Sequence, residues 1–96
     1  MSEFNKDDDG KIKLSLIEPR FIEGVGEVLT QGAEKYGREN WKTLPDSQKA
    51  RYKDALLRHL YKYLDGEHID QDSSESHLLH IACNAMFLHY TDTQVS

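Results

Sequence analysis

The histidines of this chain are unevenly placed: His59, His68, His77, His80 and His89, with none before position 59. His77 and His80 are three apart and Asn84 follows seven after His77, so on a helix all three share one face. Two imidazoles at that spacing either face one common ligand or sit hydrogen-bonded at a helix seam. A tetrahedral zinc site needs a third or fourth strong ligand, which His59 or Asp70 can supply. His59 lies beside an apolar stripe, where it is either part of a site or a buried histidine satisfied by a neighbour. Arg58, turned about 100° from it around a helix, carries a guanidinium fork suited to phosphate or carboxylate.

Carboxylates gather next to these histidines. Glu67, Asp70, Asp72 and Glu75 fall within nine residues, and hard cations such as magnesium take oxygen ligands, commonly one or two carboxylates together with substrate phosphates. Glu67 and Asp70 have the spacing of an acidic Glu-x-x-Asp pair. Earlier in the chain, Glu23, Glu27 and Glu34 fall within about 40° of one another on a helical wheel. Each group is a cation site or an ordinary solvated face. Trp41, with Lys35, Tyr36 and Asn40, offers either an aromatic platform for a base or a plug for the core. No phosphate-cradling glycine loop, nucleophile elbow or Cys/His dyad is present.

A chain of 96 residues must position these groups with a single small domain, which buries only about 60–65% of the surface its unfolded form exposes. Self-association is therefore expected. Seventeen acidic against twelve basic residues, a net charge of -5, argue against nucleic acid or an anionic membrane as the main partner. No apolar run reaches the roughly 20 residues of a membrane span, and the acidic start lacks the features of a signal peptide. Cys83, the one cysteine, reads as a buried, inert thiol in a reducing, cytoplasmic setting.

The elements follow from pattern. Residues 1–11 read as a flexible arm, and residues 12–17 alternate apolar and polar side chains as an extended segment does. Pro19 opens a helix that carries Phe21, Val25, Val28, Leu29, Gly32 and Tyr36 at helical spacing and stops at Gly37. Its internal glycines suggest close approach of a backbone or a ligand. Pro45, Asp46 and Ser47 start a second helix with the stripe Tyr52, Ala55/Leu56, His59/Leu60 and Tyr63/Leu64, ended by Gly66. A third runs from Ser74 to Tyr90, with Leu78, Ile81, Ala82, Ala85 and Leu88 as its apolar face and Glu75 favouring its dipole. The expectation is an all-α fold: a single three-helix domain over residues 12–92, an extended N-terminal arm, and a tail at 93–96.

Taken together, Gly10-Lys11, Leu14 to Ile17, GAEKYGRENW (Gly32–Trp41), RYKDALLRHL (Arg51–Leu60), Gly66-Glu67 through Asp70, and HLLHIACNAMFL (His77–Leu88) resemble the small phage-type dATP/dGTP diphosphohydrolase domain family, grouped with MazG-like all-α pyrophosphohydrolases. The likeness covers roughly residues 10–90. It implies a helical oligomer that uses Mg2+ or Mn2+ to hydrolyse a purine deoxynucleoside triphosphate to monophosphate and pyrophosphate. Onto this chain it carries Lys35, Tyr36, Asn40 and Trp41 as a loop pattern, and Arg58, His59, Asp70, His77, His80 and Asn84 as a polar set. Where the family often reads Glu-Ser-Gly-Leu-Pro, this chain has Asp72, Ser73, Ser74, Glu75 and Ser76. The Glu-x-x-Glu of many MazG-like helices is replaced by Glu23 and Glu27, four apart.

The combined expectation assigns metal binding to Glu67 and Asp70, helped by Glu27 or Glu34. His59, His77 and His80 serve catalysis, and Lys35, Tyr36, Asn40, Trp41, Arg58 and Asn84 serve the nucleotide. The alternative is a non-catalytic module on the same scaffold that sequesters a nucleotide or binds a host protein. A helical protein with a purely structural role is the third reading.

Overall fold

The computed structural model describes residues 10–37 and 48–93. Most of the expected arm, Asn40 and Trp41, the Pro45-Asp46-Ser47 helix start, the side chain of Tyr36 and residues 94–96 lie outside the described residues. Within them the fold is three α-helices, α1 (Pro19–Tyr36), α2 (Lys49–Leu64) and α3 (His77–Thr93), with no strand among the described residues. None of these helices is long and apolar enough to cross a membrane.

Helix α1 begins where its proline predicts. Pro19 occupies the first turn, where a missing N–H is harmless, and the Glu18 carboxylate accepts from the Phe21 N–H at 3.1 Å. Gly37 ends it at φ +96°, donating to the Ala33 carbonyl at 2.8 Å. Just before the helix, residues 12–17 depart from the extended expectation. Leu14–Leu16 form a turn of 3-10 helix, closed by Ile17 N–H to Leu14 carbonyl at 3.0 Å. The alternation of side chains there has no sheet to serve, so local i→i+3 bonding satisfies the backbone instead.

Helix α3 packs against both α2 and α1. Its pairing with α2 is antiparallel. Lys49 reaches Asp92 at 2.6 Å, Tyr52 meets the ring of Phe87 at 5.0 Å between centroids, and His59 meets His80 at 4.3 Å. Against α1, Gly24 makes room for Leu79: a Cβ there would lie 2.5 Å from Leu79 Cδ1. The close approach expected of an α1 glycine is thus to a side chain of α3.

Two expectations about α3 are corrected. It starts at His77 rather than Ser74, because Ser74 adopts φ +63°, a left-handed conformation that cannot enter a right-handed helix. Ser76 takes the starting role, its Oγ accepting from Leu78 N–H at 3.1 Å, so Glu75 precedes the helix instead of occupying its first turn. The inward face also differs. Leu78 and Ala85 are exposed, while His77, Cys83 and Asn84 are the buried positions of the helix. Cys83, 2% exposed, is the one fully buried apolar side chain among the described residues, and burial pushes its thiol up to about 11.

Candidate metal and phosphate site

The site is built by the end of α2, the loop after it, and the start of α3. Helix α2 closes with Gly66 at φ +102°. Gly66 N–H donates to the Tyr63 carbonyl at 3.0 Å and Glu67 N–H to the Lys62 carbonyl at 2.9 Å. This pair of bonds is a Schellman ending, and it turns Glu67 back toward the helices it has just left.

The loop then folds onto itself. Ile69 and Ser76 form an isolated antiparallel bridge, with Asp70 N–H to Glu75 carbonyl at 2.8 Å and His77 N–H to His68 carbonyl at 2.9 Å. Inside it, Asp70 caps the tight turn: its Oδ2 accepts from Ser73 N–H at 3.0 Å and from Ser73 Oγ–H at 2.9 Å. Short side chains bonding in this way mimic the backbone bonds of a turn. Gln31 of α1 donates to the Ser73 carbonyl at 3.4 Å, tying the loop to the first helix.

Three imidazoles converge on this loop. His77 is 0% exposed; its Nε2 lies 2.7 Å from Glu67 Oε2 and its Nδ1 lies 2.8 Å from Nδ1 of His59. A carboxylate can only accept, which assigns a proton to His77 Nε2. In the neutral ring Nδ1 is then an acceptor, so His59 donates from its own Nδ1. His80 stacks on His59 with planes 4° apart, and its Nε2 lies 2.7 Å from Ser73 Oγ. Because Ser73 gives its hydroxyl proton to Asp70, His80 donates to Ser73 and keeps its lone pair on Nδ1.

Electrostatics favour neutral rings at His59 and His80. Burial, then the neighbouring His80, His77 and Arg58 charges, pull His59 down to about 4 against a smaller opposing pull from Asp70. Burial likewise lowers His80, with the Asp70 carboxylate opposing it. Asp70 itself is 8% exposed. Burial would raise its pKa, but the two Ser73 hydrogen bonds, followed by His80 and His59, together carry it below the usual carboxylate range. The result is an ionised Asp70 carboxylate beside a His59 and a His80 held toward their unprotonated forms, the donor state that metal ions require. Among the described residues, His59, Asp70 and His77 each bring one ligand atom within 4.8 Å of the others.

The other expected residues are distributed around this centre. Glu67 lies behind His77, on the far ring nitrogen from His59. Glu27 and Glu34 are exposed on α1, outside the three-residue group. Arg58 and Lys35 are exposed. Asn84 is 8% exposed and donates to the His80 carbonyl at 2.9 Å. Sequence reasoning missed Ser73, which joins Asp70 to His80; the signal was the Asp-x-x-Ser spacing of a side-chain-capped turn.

Comparison with known proteins identifies the family. The family described as dATP/dGTP diphosphohydrolase, N-terminal, matches residues 2–95. A curated protein of Salmonella phage PMBT28, named dATP/dGTP diphosphohydrolase, is 41% identical over 83 residues, which cover 86% of this chain and 28% of that protein. The chain therefore corresponds to little more than a quarter of that relative's length. No solved structure matches it.

Proposed function

Because the chain belongs to the dATP/dGTP diphosphohydrolase N-terminal family, we propose that it hydrolyses a purine deoxynucleoside triphosphate, dATP or dGTP, to the monophosphate and pyrophosphate with a divalent metal. The observation that carries this reading is the gathering of His59 from α2, Asp70 from the loop and His77 from the start of α3, with ligand atoms within 4.8 Å of one another. The donor set fits a divalent ion. Asp70 supplies an anionic oxygen, and His77 is oriented by a carboxylate on its other nitrogen, as ligating histidines characteristically are. The resemblance points to Mg2+ or Mn2+ as that ion, with Glu67 supporting His77. Such an ion, when bound, neutralises phosphate charge and lowers the pKa of a water.

The chain's own residues divide the remaining work. His80, unprotonated near neutral pH and with Nε2–H engaged by Ser73, offers Nδ1 to take a proton from the attacking water. Ser73 and Asp70 hold that ring against rotation. Arg58 and Lys35 serve the phosphates, Tyr36 and Trp41 the base, and Asn40 and Asn84 the remaining polar contacts. Pyrophosphate release from dATP or dGTP is the test, with Asp70→Asn and His80→Ala each expected to reduce it about 100-fold or more. Release from no nucleoside triphosphate would overturn the reading. Nucleotide binding without product would favour a sequestering module instead.

Self-association belongs to the same reading. Ile12, Leu14, Leu16, Ile17, Phe21 and Ile22 are all exposed within a short stretch, a concentration of apolar surface that a second copy would cover. Sedimentation of the pure chain is expected to give a dimer or larger; a monomer at micromolar concentration would exclude it.

A further inference from the structure

The donor set of the His59–Asp70–His77 cluster has a preference among ions that the carboxylate-rich loop alone would not have. Two of its three donors are imidazole nitrogens, and the third is one buried carboxylate already accepting two hydrogen bonds through Oδ2. Magnesium is hard, prefers oxygen, and sheds water reluctantly. Imidazole suits the borderline ions of the first transition row, whose affinity for a nitrogen site rises from Mn2+ through Fe2+ and Co2+ and remains high at Zn2+.

The two imidazoles also already meet through the nitrogens that a shared ion would take. The facing Nδ1 atoms of His59 and His77 stand 2.8 Å apart across one shared proton. Two imidazole nitrogens on a common ion, each about 2.1 Å from it, stand roughly 3.0–3.4 Å apart; with ring centroids 5.0 Å apart the two Nδ1 atoms point at each other, so both rings tilt as well as part to share an ion. His77 is held for that exchange, since Glu67 grips Nε2 at 2.7 Å and leaves Nδ1 facing inward. Glu67 lies on the wrong side of the ring to touch an ion shared with His59. Its place is behind the ligand.

We propose that His59, His77 and Asp70 bind one first-row transition ion, Zn2+, Co2+ or Fe2+, in preference to Mg2+, with Glu67 acting as the positioning residue of His77. The inference rests on the metal-dependent reading above and concerns which ion that site selects. The full chain, stripped with chelator, is titrated with Zn2+, Co2+, Mn2+ and Mg2+ alone by calorimetry, and Co2+ binding is followed by its visible absorption. Zn2+ and Co2+ are expected to bind at one equivalent, at least 100-fold more tightly than Mg2+, with Mn2+ between. His59→Ala removes the tight site, and Glu67→Gln, at a half-exposed position, weakens it about 10- to 100-fold while leaving the helical circular dichroism intact.

Mg2+ affinity within threefold of Zn2+ overturns the proposal. So does tight Zn2+ binding that survives both substitutions, which would assign it to the exposed His68 and His89. The activity assay separates the two claims. Hydrolysis supported by Mg2+ without tight binding of any transition ion sinks the selectivity and spares the enzyme. Tight Zn2+ or Co2+ binding with no hydrolysis of any nucleotide does the reverse.

Discussion

His59 and His77 face each other Nδ1 to Nδ1 at 2.8 Å, and since only one proton can lie between them, the two rings hold complementary roles. The carboxylate of Glu67 decides which role each takes. Its grip on His77 Nε2 makes His77 the acceptor and His59 the donor. The relationship joins residues 18 apart in the chain across the α2–α3 seam, and it links the stability of the helix pair to the readiness of the site.

His77→Ala is expected to destabilise the fold by about 2–4 kcal/mol, because it empties a fully buried volume and strips His59 of its partner. Urea denaturation measures this directly. Glu67 keeps access to solvent and can hydrate, so the cavity dominates the cost. A loss below about 1 kcal/mol would mean that the His59–His77–Glu67 chain contributes little.

Acid should weaken the metal-free protein over a defined interval. The unfolded chain takes up a proton on His59 near 6.5, whereas the folded chain does so near about 4. Between those values the unfolded state binds more protons, so stability falls as pH drops from about 6.5 to about 4 and the contribution levels off below. Its size is at most about 3 kcal/mol, and less by solvent screening because the ring is only partly buried. Asp70, lowered in the fold, adds a loss in the same direction at still lower pH. Urea midpoints between pH 4 and 7 in chelator test it, and His59→Gln should flatten the slope.

Ser74→Gly should stabilise the fold by about 1 kcal/mol. Ser74 sits at φ +63°, where a side chain costs about 1–2 kcal/mol and glycine costs nothing sterically. The serine next to it, Ser73, is the one whose hydroxyl the site uses. A lowered melting temperature would show instead that the Ser74 hydroxyl contributes an interaction of its own.

Cys83 should resist alkylation in the native protein at pH 8 and react fully in urea. Its thiol is buried and pushed up to about 11, so both access and thiolate are lacking. Native labelling at the rate of a free thiol would place it at a mobile or exposed position.

Much of this fold was legible because local rules decide it. Pro19 with Gly37, and Gly66 at the end of α2, act within a single turn, and the structure keeps all three. The start of α3 was not legible in the same way. Ser74 and Glu75 resemble an ordinary helix opening, and only the turn that Asp70 caps, together with the Ile69–Ser76 bridge, moves the opening to Ser76. The inward face of α3 was misjudged for a related reason. Periodicity sorts side chains by polarity, so it placed Leu78 and Ala85 inside, whereas His77 and Asn84 are buried because each has a hydrogen-bond partner waiting. The histidines and Asp70 were recognised as chemistry from their types and spacing. Their pairing was not, since it depends on how α2 and α3 are registered against each other.

The loop that turns α2 into α3 spans residues 65–76, and every side chain meeting at the His59–Asp70–His77 centre comes from positions 59 to 80. Such near-neighbour pairings close quickly, because little chain entropy is lost in joining them. The centre belongs to one helical hairpin, α2 and α3 with the loop between them, and α1 touches it through the Gln31 bond to the Ser73 carbonyl. A cation held there would therefore clamp α2 to α3 and tie the end of one helix to the start of the next.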